Sequence, residues 1–115
     1  GHEFIVGALK DPSVGHLVMA GLGGIYTELF RDTAFRIAPV SERDTYTMLE
    51  SLKSWKLLMG LRGEAMSNVP ALAETIQKVS MLVSECPMIK ELDLNPVIVD
   101  KNGVMVADAK VVVES

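Results

Sequence analysis

The sequence predicts an α+β domain: one mostly antiparallel sheet with two helices packed on one face. Three observations carry that expectation. Runs rich in β-formers stand at both ends of the chain, two stretches of helical period lie between them, and Asp100-Lys101-Asn102-Gly103 is a strong hairpin signal joining the last two runs. With 115 residues, 49% of them apolar and 23% charged, the chain has material for a single core.

Glu3 to Lys10 reads as the first strand and His16 to Ala20 as the second, with Asp11-Pro12-Ser13 as the turn between them. The glycines of Gly21-Leu22-Gly23-Gly24 mark a loop between strands, and Phe35 to Ala38 suggests a third strand. Ser41 can cap a helix over about residues 42–52, with Thr45, Met48, Leu49 and Leu52 along one face. Lys53 to Ser67 has no clean period and reads as a loop. Asn68 as cap and Pro70 in the first turn open a second helix, whose Val69, Leu72, Ala73, Ile76, Val79 and Val83 form one stripe before Pro87 ends it. Ile89 to Val99 and Val104 to Val113 form the closing hairpin, and Met48, Met59, Met66, Met81 and Met88 read as adaptable core filler.

Several function classes are disfavoured. The longest uncharged run, Pro12 to Thr27, contains four glycines and a proline and falls short of the ~20 apolar residues of a membrane span. Eleven Lys/Arg against fifteen Asp/Glu give a net charge of −4 without a basic run, which argues against nucleic acid as a partner. The single cysteine, Cys86, cannot form an internal bridge, so a reducing compartment, the cytoplasm, is expected. Gly1 stands where Met is usual and a strand begins at once, as in a piece of a longer chain.

The closing hairpin carries the most informative chemistry. In Glu91-Leu92-Asp93-Leu94-Asn95-Pro96, alternation puts Asp93 and Asn95 on one face and the leucines on the other. If residues 100–103 form the loop, Asn95 lies directly opposite Asp108; if Asn102-Gly103 makes a two-residue turn, Asp108 faces Val97 and lies diagonal to Asn95. Both registers keep the two on one face. Three converging oxygen-bearing side chains offer the hard ligands that Mg²⁺ prefers, leaving positions for water and phosphate oxygens. The plainer alternative is a polar cluster on the solvated face of a hairpin.

Leu92-Asp93-Leu94-Asn95-Pro96-Val97-Ile98-Val99 followed by Val106-Ala107-Asp108-Ala109-Lys110 resembles the closing hairpin of ATP-grasp enzymes, in the branch of ADP-forming acyl-CoA synthetases and the succinate–CoA ligase β subunit. Gly1 to Gly7 resembles that family's Gly-x-Glu strand, and Asp11-Pro12 with Val18-Met19-Ala20-Gly21-Leu22-Gly23-Gly24-Ile25-Tyr26 resembles its glycine loop. Phe35-Arg36-Ile37-Ala38-Pro39 and Leu61-Arg62-Gly63-Glu64 are similar to segments of the acetyl-CoA synthetase branch.

The resemblance implies an ATP-grasp C-terminal lobe over residues 1–115, a fragment of a larger ligase whose second nucleotide-binding lobe lies upstream. Such enzymes interconvert acyl-CoA, ADP and phosphate with free acid, CoA and ATP through a phosphohistidine located elsewhere. The implied cofactors are ATP/ADP and Mg²⁺, and the implied partners are the nucleotide and the domains or subunit carrying the CoA site and phosphohistidine. Carried over by position, Asn95 and Asp108 hold Mg²⁺, with Asp93 as a third ligand or outer-shell acid. Family members often carry Glu where this chain has Asp93.

Glu3 is a candidate for ribose hydroxyls, and Gly23 and Gly24 for presenting backbone N–H groups to phosphate or the phosphohistidine loop. Arg36 and Arg62 are candidate phosphate or carboxylate contacts; His2 and His16 receive no role. Two rival readings remain: the ligase-like regulatory half of a protein acetyltransferase, and a non-catalytic subunit-interface module.

Overall fold

A computed structural model describes residues 1–24 and 32–114. The Ile25-Tyr26 end of the glycine-loop resemblance lies outside the described residues. The strands are β1 (His2–Asp11), β2 (Gly15–Leu22), β3 (Thr33–Ile37), β4 (Ile89–Val99), β5 (Val104–Val106) and β6 (Ala109–Val113). The helices are α1 (Glu42–Glu50), the single turn α2 (Trp55–Leu58) and α3 (Val69–Glu85), with a 3₁₀ turn at Leu61–Gly63. The described strands form one sheet in the order β3-β2-β1-β4-β5, with β6 also paired to β4, and every pairing is antiparallel.

The pleat divides the sheet into two faces. Phe4, Val6 and Ala8 of β1, Val18 and Ala20 of β2, and Leu92, Val97 and Val99 of β4 are buried against the helix layer. Ser41 Oγ accepts the Asp44 N–H at 3.1 Å to start α1, which buries Thr45, Met48 and Leu49. Asn68 Oδ1 accepts the Ala71 N–H at 3.1 Å to start α3, whose Leu72, Ile76 and Val83 are fully buried. Each such aliphatic side chain contributes about 1.5–3 kcal/mol by leaving water.

The structure changes three expectations. The segment expected as a plain loop, Lys53 to Ser67, contains α2 and the 3₁₀ turn, because Asp32 holds the Lys53 and Ser54 N–H groups in place to begin a helical turn. No periodicity announces so short an element. Val104 to Val113 is two strands, broken at Ala107-Asp108 where it faces a bulge in β4: two β4 residues, Asn95 and Pro96, lie opposite the single residue Ile5 of β1. Of the five methionines read as filler, only Met48 is in the core. Met59, Met66, Met81 and Met88 are exposed, because they lie off the buried stripes or in connecting turns, where an apolar side chain has no layer to meet.

Candidate functional site

The face of the sheet away from the helices carries the hairpin's polar residues. β4 pairs with β5 as Val99↔Val104 and Val97↔Val106, and with β6 as Leu94↔Ala109 and Asp93↔Lys110. This is the register set by the 100–103 loop, and it places Asn95 opposite Asp108. The Asn95 N–H donates to the Asp108 carbonyl at 3.1 Å, and the Ala107 N–H donates to the Pro96 carbonyl at 2.9 Å. The loop itself is tied by Asp100 Oδ1, which accepts the Asn102 and Gly103 N–H groups.

The bulge matters because side-chain direction has a period of two. Leu94 and Val97 both lie on the helix side although they are an odd three positions apart, so the extra residue restores the apolar alternation beyond Asn95-Pro96. Before the bulge, Asp93 and Asn95 point to the open face. Asp108 is exposed, and its Oδ1 accepts the Ala109 N–H at 2.9 Å. No described residue makes a hydrogen bond to the side chains of Asp93 or Asn95, or to Asp108 Oδ2, so their oxygen lone pairs stay available.

The donor set fits a hard cation: one amide and two carboxylates on adjacent strands. Directly opposite residues stand about 4.5–5.5 Å apart at Cβ, which lets Asn95 and Asp108 reach a single ion, while Asp93 lies one diagonal step away. Among the described residues, no group of three or more His, Cys, Asp or Glu side chains gathers as a protein-only metal cage. Such a site leaves coordination positions for water and ligand oxygens, the arrangement common for Mg²⁺ at phosphates.

Glu3 and the glycines form a second corner of this face. Glu3 pairs with Ile98, and its carbonyl accepts the Gly23 N–H at 2.8 Å. A Cβ on Gly24, whose φ is +93°, would lie 3.4 Å from Glu3 Oε2. The glycine turn and the Glu3 carboxylate are thus brought together, but the expectation that Gly23 presents its N–H to a phosphate is corrected: that donor is used by the Glu3 carbonyl. Arg36 is not gathered with these groups. It pairs with Val18, on the helix side of β3, and its Nη1 donates to the Phe35 carbonyl at 2.8 Å. Arg62 sits in the turn after α2 with a left-handed backbone, φ 58°.

Two residues that sequence reasoning did not single out hold the surroundings of the site, Gly7 on this face and Asp32 on the helix side. Gly7 lies directly opposite Asp93, and a Cβ there would come 2.7 Å from the Leu92 carbonyl. It floors a depression of about 350 Å³ bounded by Leu9, Leu17, Met19, Phe35 and Asp93. A glycine inside a strand is the signal that could have found it. Asp32 is buried, with Oδ1 and Oδ2 accepting the N–H groups of Lys53 at 2.6 Å and Ser54 at 2.8 Å. Its carbonyl also accepts the Leu22 N–H at 3.0 Å, so it fastens the end of β2 just before the glycine turn.

Known proteins share the fold and much of the sequence. The family model described as ATP-grasp domain matches residues 1–113. The β subunit of acetate–CoA ligase (ADP-forming) I from Pyrococcus furiosus is 42% identical over 112 residues, covering 97% of this chain and 48% of the relative. The 4-hydroxybutyrate–CoA ligase (ADP-forming) of Nitrosopumilus maritimus is 46% identical over 103 residues, 90% of this chain and 15% of that protein. Among solved structures, the dinucleotide-forming acetyl-coenzyme A synthetase 1 of Ca. Korarchaeum cryptofilum, in complex with coenzyme A and Mg-AMPPCP, superposes with a TM-score of 0.96 at 42% identity. That match covers 99% of this chain and 54% of the solved one, so this chain spans about half or less of these relatives. The antiparallel sheet, its single helix layer and the matched residues together make the chain a member of the ATP-grasp domain family.

Proposed function

We propose that this domain forms one wall of the nucleotide site of an ADP-forming acid–CoA ligase, interconverting acyl-CoA, ADP and phosphate with acid, CoA and ATP. The observation that carries the reading is the register that faces Asn95 to Asp108 with Asp93 on the same side. In this role Asn95 and Asp108 hold Mg²⁺, and Asp93 serves as a third ligand or as an acid hydrogen-bonded to a metal-bound water. The Glu3 carboxylate accepts from ribose hydroxyls, and Gly24 lets the phosphates approach the backbone. When bound, the ion neutralises charge on the phosphate oxygens during transfer to and from a histidine carried elsewhere. The second nucleotide-binding lobe and the CoA site come from other parts of the ligase, working in the cytoplasm.

Support comes from the relatives' own names, acid–CoA ligases forming ADP, and from the solved synthetase that holds Mg-AMPPCP. In a complete ligase containing this domain, Asp108→Ala should reduce nucleotide-dependent phosphorylation of the histidine by about 100-fold or more with the fold unchanged. Phosphorylation within about twofold of the parent enzyme would remove the metal assignment.

A further inference from the structure

A cation stands among the acids of the open face. Lys110 lies directly opposite Asp93 in the β4–β6 pairing, and two residues before it Asp108 stands opposite Asn95. Side chains on one face of a strand recur every second residue, so the Lys110 side chain leaves on the same side as Asp93, Asn95 and Asp108. It is exposed, and among the described residues its ammonium is in no ion pair or hydrogen bond, although a carboxylate lies across from it. Other cations of the sheet are placed elsewhere. Lys10, on the helix side, donates to the Pro87 carbonyl and holds Glu114 at 3.0 Å, and Arg36 is on the helix side of β3. Lys90 sits at the irregular step of β4 between Ile89 and Glu91, away from Asn95. The acids are gathered instead: Glu3, Glu91, Asp93 and Asp108 all belong to the open face.

That balance decides what a phosphate meets here. A divalent ion beside Asp93 and Asp108 has its two charges cancelled by the two carboxylates, so the ion and its acids together offer an anion no net positive charge. Lys110 supplies that charge. Its Cβ is one cross-strand step from Asp93, about 4.5–5.5 Å, and its Cα is two residues, about 6.5–7 Å, from Asp108. The flexible four-carbon stem lets the ammonium swing over both, which brings an oxygen bound to the ion within its reach. Resting on the metal reading above, we propose that Lys110 is a phosphate-binding residue: it donates to a non-bridging oxygen of the nucleotide phosphate that the ion also holds. Lys110 therefore raises the affinity of the face for a phosphorylated ligand and adds nothing to its affinity for the metal. Because lysine and ion carry like charge, removing the lysine relieves repulsion on the ion while taking a charged donor from the phosphate.

Variants of a complete ligase containing this domain test the assignment by binding rather than turnover. Electron paramagnetic resonance reads Mn²⁺ affinity without nucleotide, and calorimetry reads Mg-ADP affinity. Lys110→Gln should weaken Mg-ADP by about tenfold or more, the worth of one hydrogen bond from a charged group, while Mn²⁺ binds as tightly as to the wild type or more tightly. Lys110→Arg, which keeps the charge, should hold Mg-ADP within about threefold. Asp108→Ala should weaken Mn²⁺ itself. Unchanged Mg-ADP affinity in Lys110→Gln, with Mn²⁺ weakened in Asp108→Ala, would overturn the role of Lys110 and leave the metal site standing. Equal weakening of Mn²⁺ and Mg-ADP in Lys110→Gln would show a structural effect and overturn it too. Unchanged Mn²⁺ affinity in Asp108→Ala would remove the metal site, and the role of Lys110 with it.

Discussion

Replacing Asp32 tests how the segment after β2 is held. Its carboxylate is buried at 5% exposure and accepts two backbone N–H groups through separate oxygens, Lys53 at 2.6 Å and Ser54 at 2.8 Å. Asp32→Ala removes both acceptors. Ser54 is itself buried at 3% exposure, so its N–H loses its partner where water cannot easily replace it, at about 2 kcal/mol. Lys53 is exposed and its N–H can rehydrate, at about 1 kcal/mol. The expected loss is therefore about 3 kcal/mol, a fall in Tm of roughly 10 °C for a domain of this size. Asp32→Asn keeps one acceptor oxygen, which serves the buried Ser54 N–H, and should cost about half as much. Urea unfolding followed by circular dichroism measures both variants against the wild type at constant m. A loss below about 1 kcal/mol for the alanine variant would refute this account of how the α2 turn is anchored.

Other sites give sharp expectations. Gly7→Val sets a Cβ 2.7 Å from the Leu92 carbonyl, so β1 and β4 must separate; the free energy of unfolding should fall by at least about 2 kcal/mol, read in the same urea assay. Asn68→Ala removes the oxygen that caps α3 and should cost about 1 kcal/mol, whereas Asn68→Asp should cost little. Ile76→Ala empties a fully buried position under the sheet and should cost about 3 kcal/mol; a loss under 1 kcal/mol would show that the helix layer can collapse onto the gap.

Much of this was legible in the sequence because periodicity reports burial directly. The stripe from Val69 to Val83 and the capping Asn68 specify α3, and the alternation through Leu92-Asp93-Leu94-Asn95 specifies which residues leave the core. The hairpin register was narrowed to two choices, and the turn chemistry of Asp100, which ties Asn102 and Gly103, selects between them. What the sequence hid depends on long-range partners. Asp32 acts on residues 21 and 22 positions away, so nothing near it in the chain marks it as an anchor. Gly23 looked free for a ligand until β1 supplied the Glu3 carbonyl from twenty residues earlier. Arg36 looked like a phosphate contact by type, yet its place in β3 puts it on the helix side.

The central claim is that the open face of the β4–β6 hairpin binds a divalent cation through Asn95 and Asp108, with Asp93 beside them. Amide spectra of the chain titrated with Mn²⁺, with and without ADP, test it most directly, because a paramagnetic ion broadens only the signals near it. The account predicts selective broadening at residues 93–95 and 107–109, with the Gly7 amide affected through its pairing with Asp93 and the effect lost in Asp108→Ala. Broadening that is scattered over the acidic surface and unchanged in Asp108→Ala would contradict it.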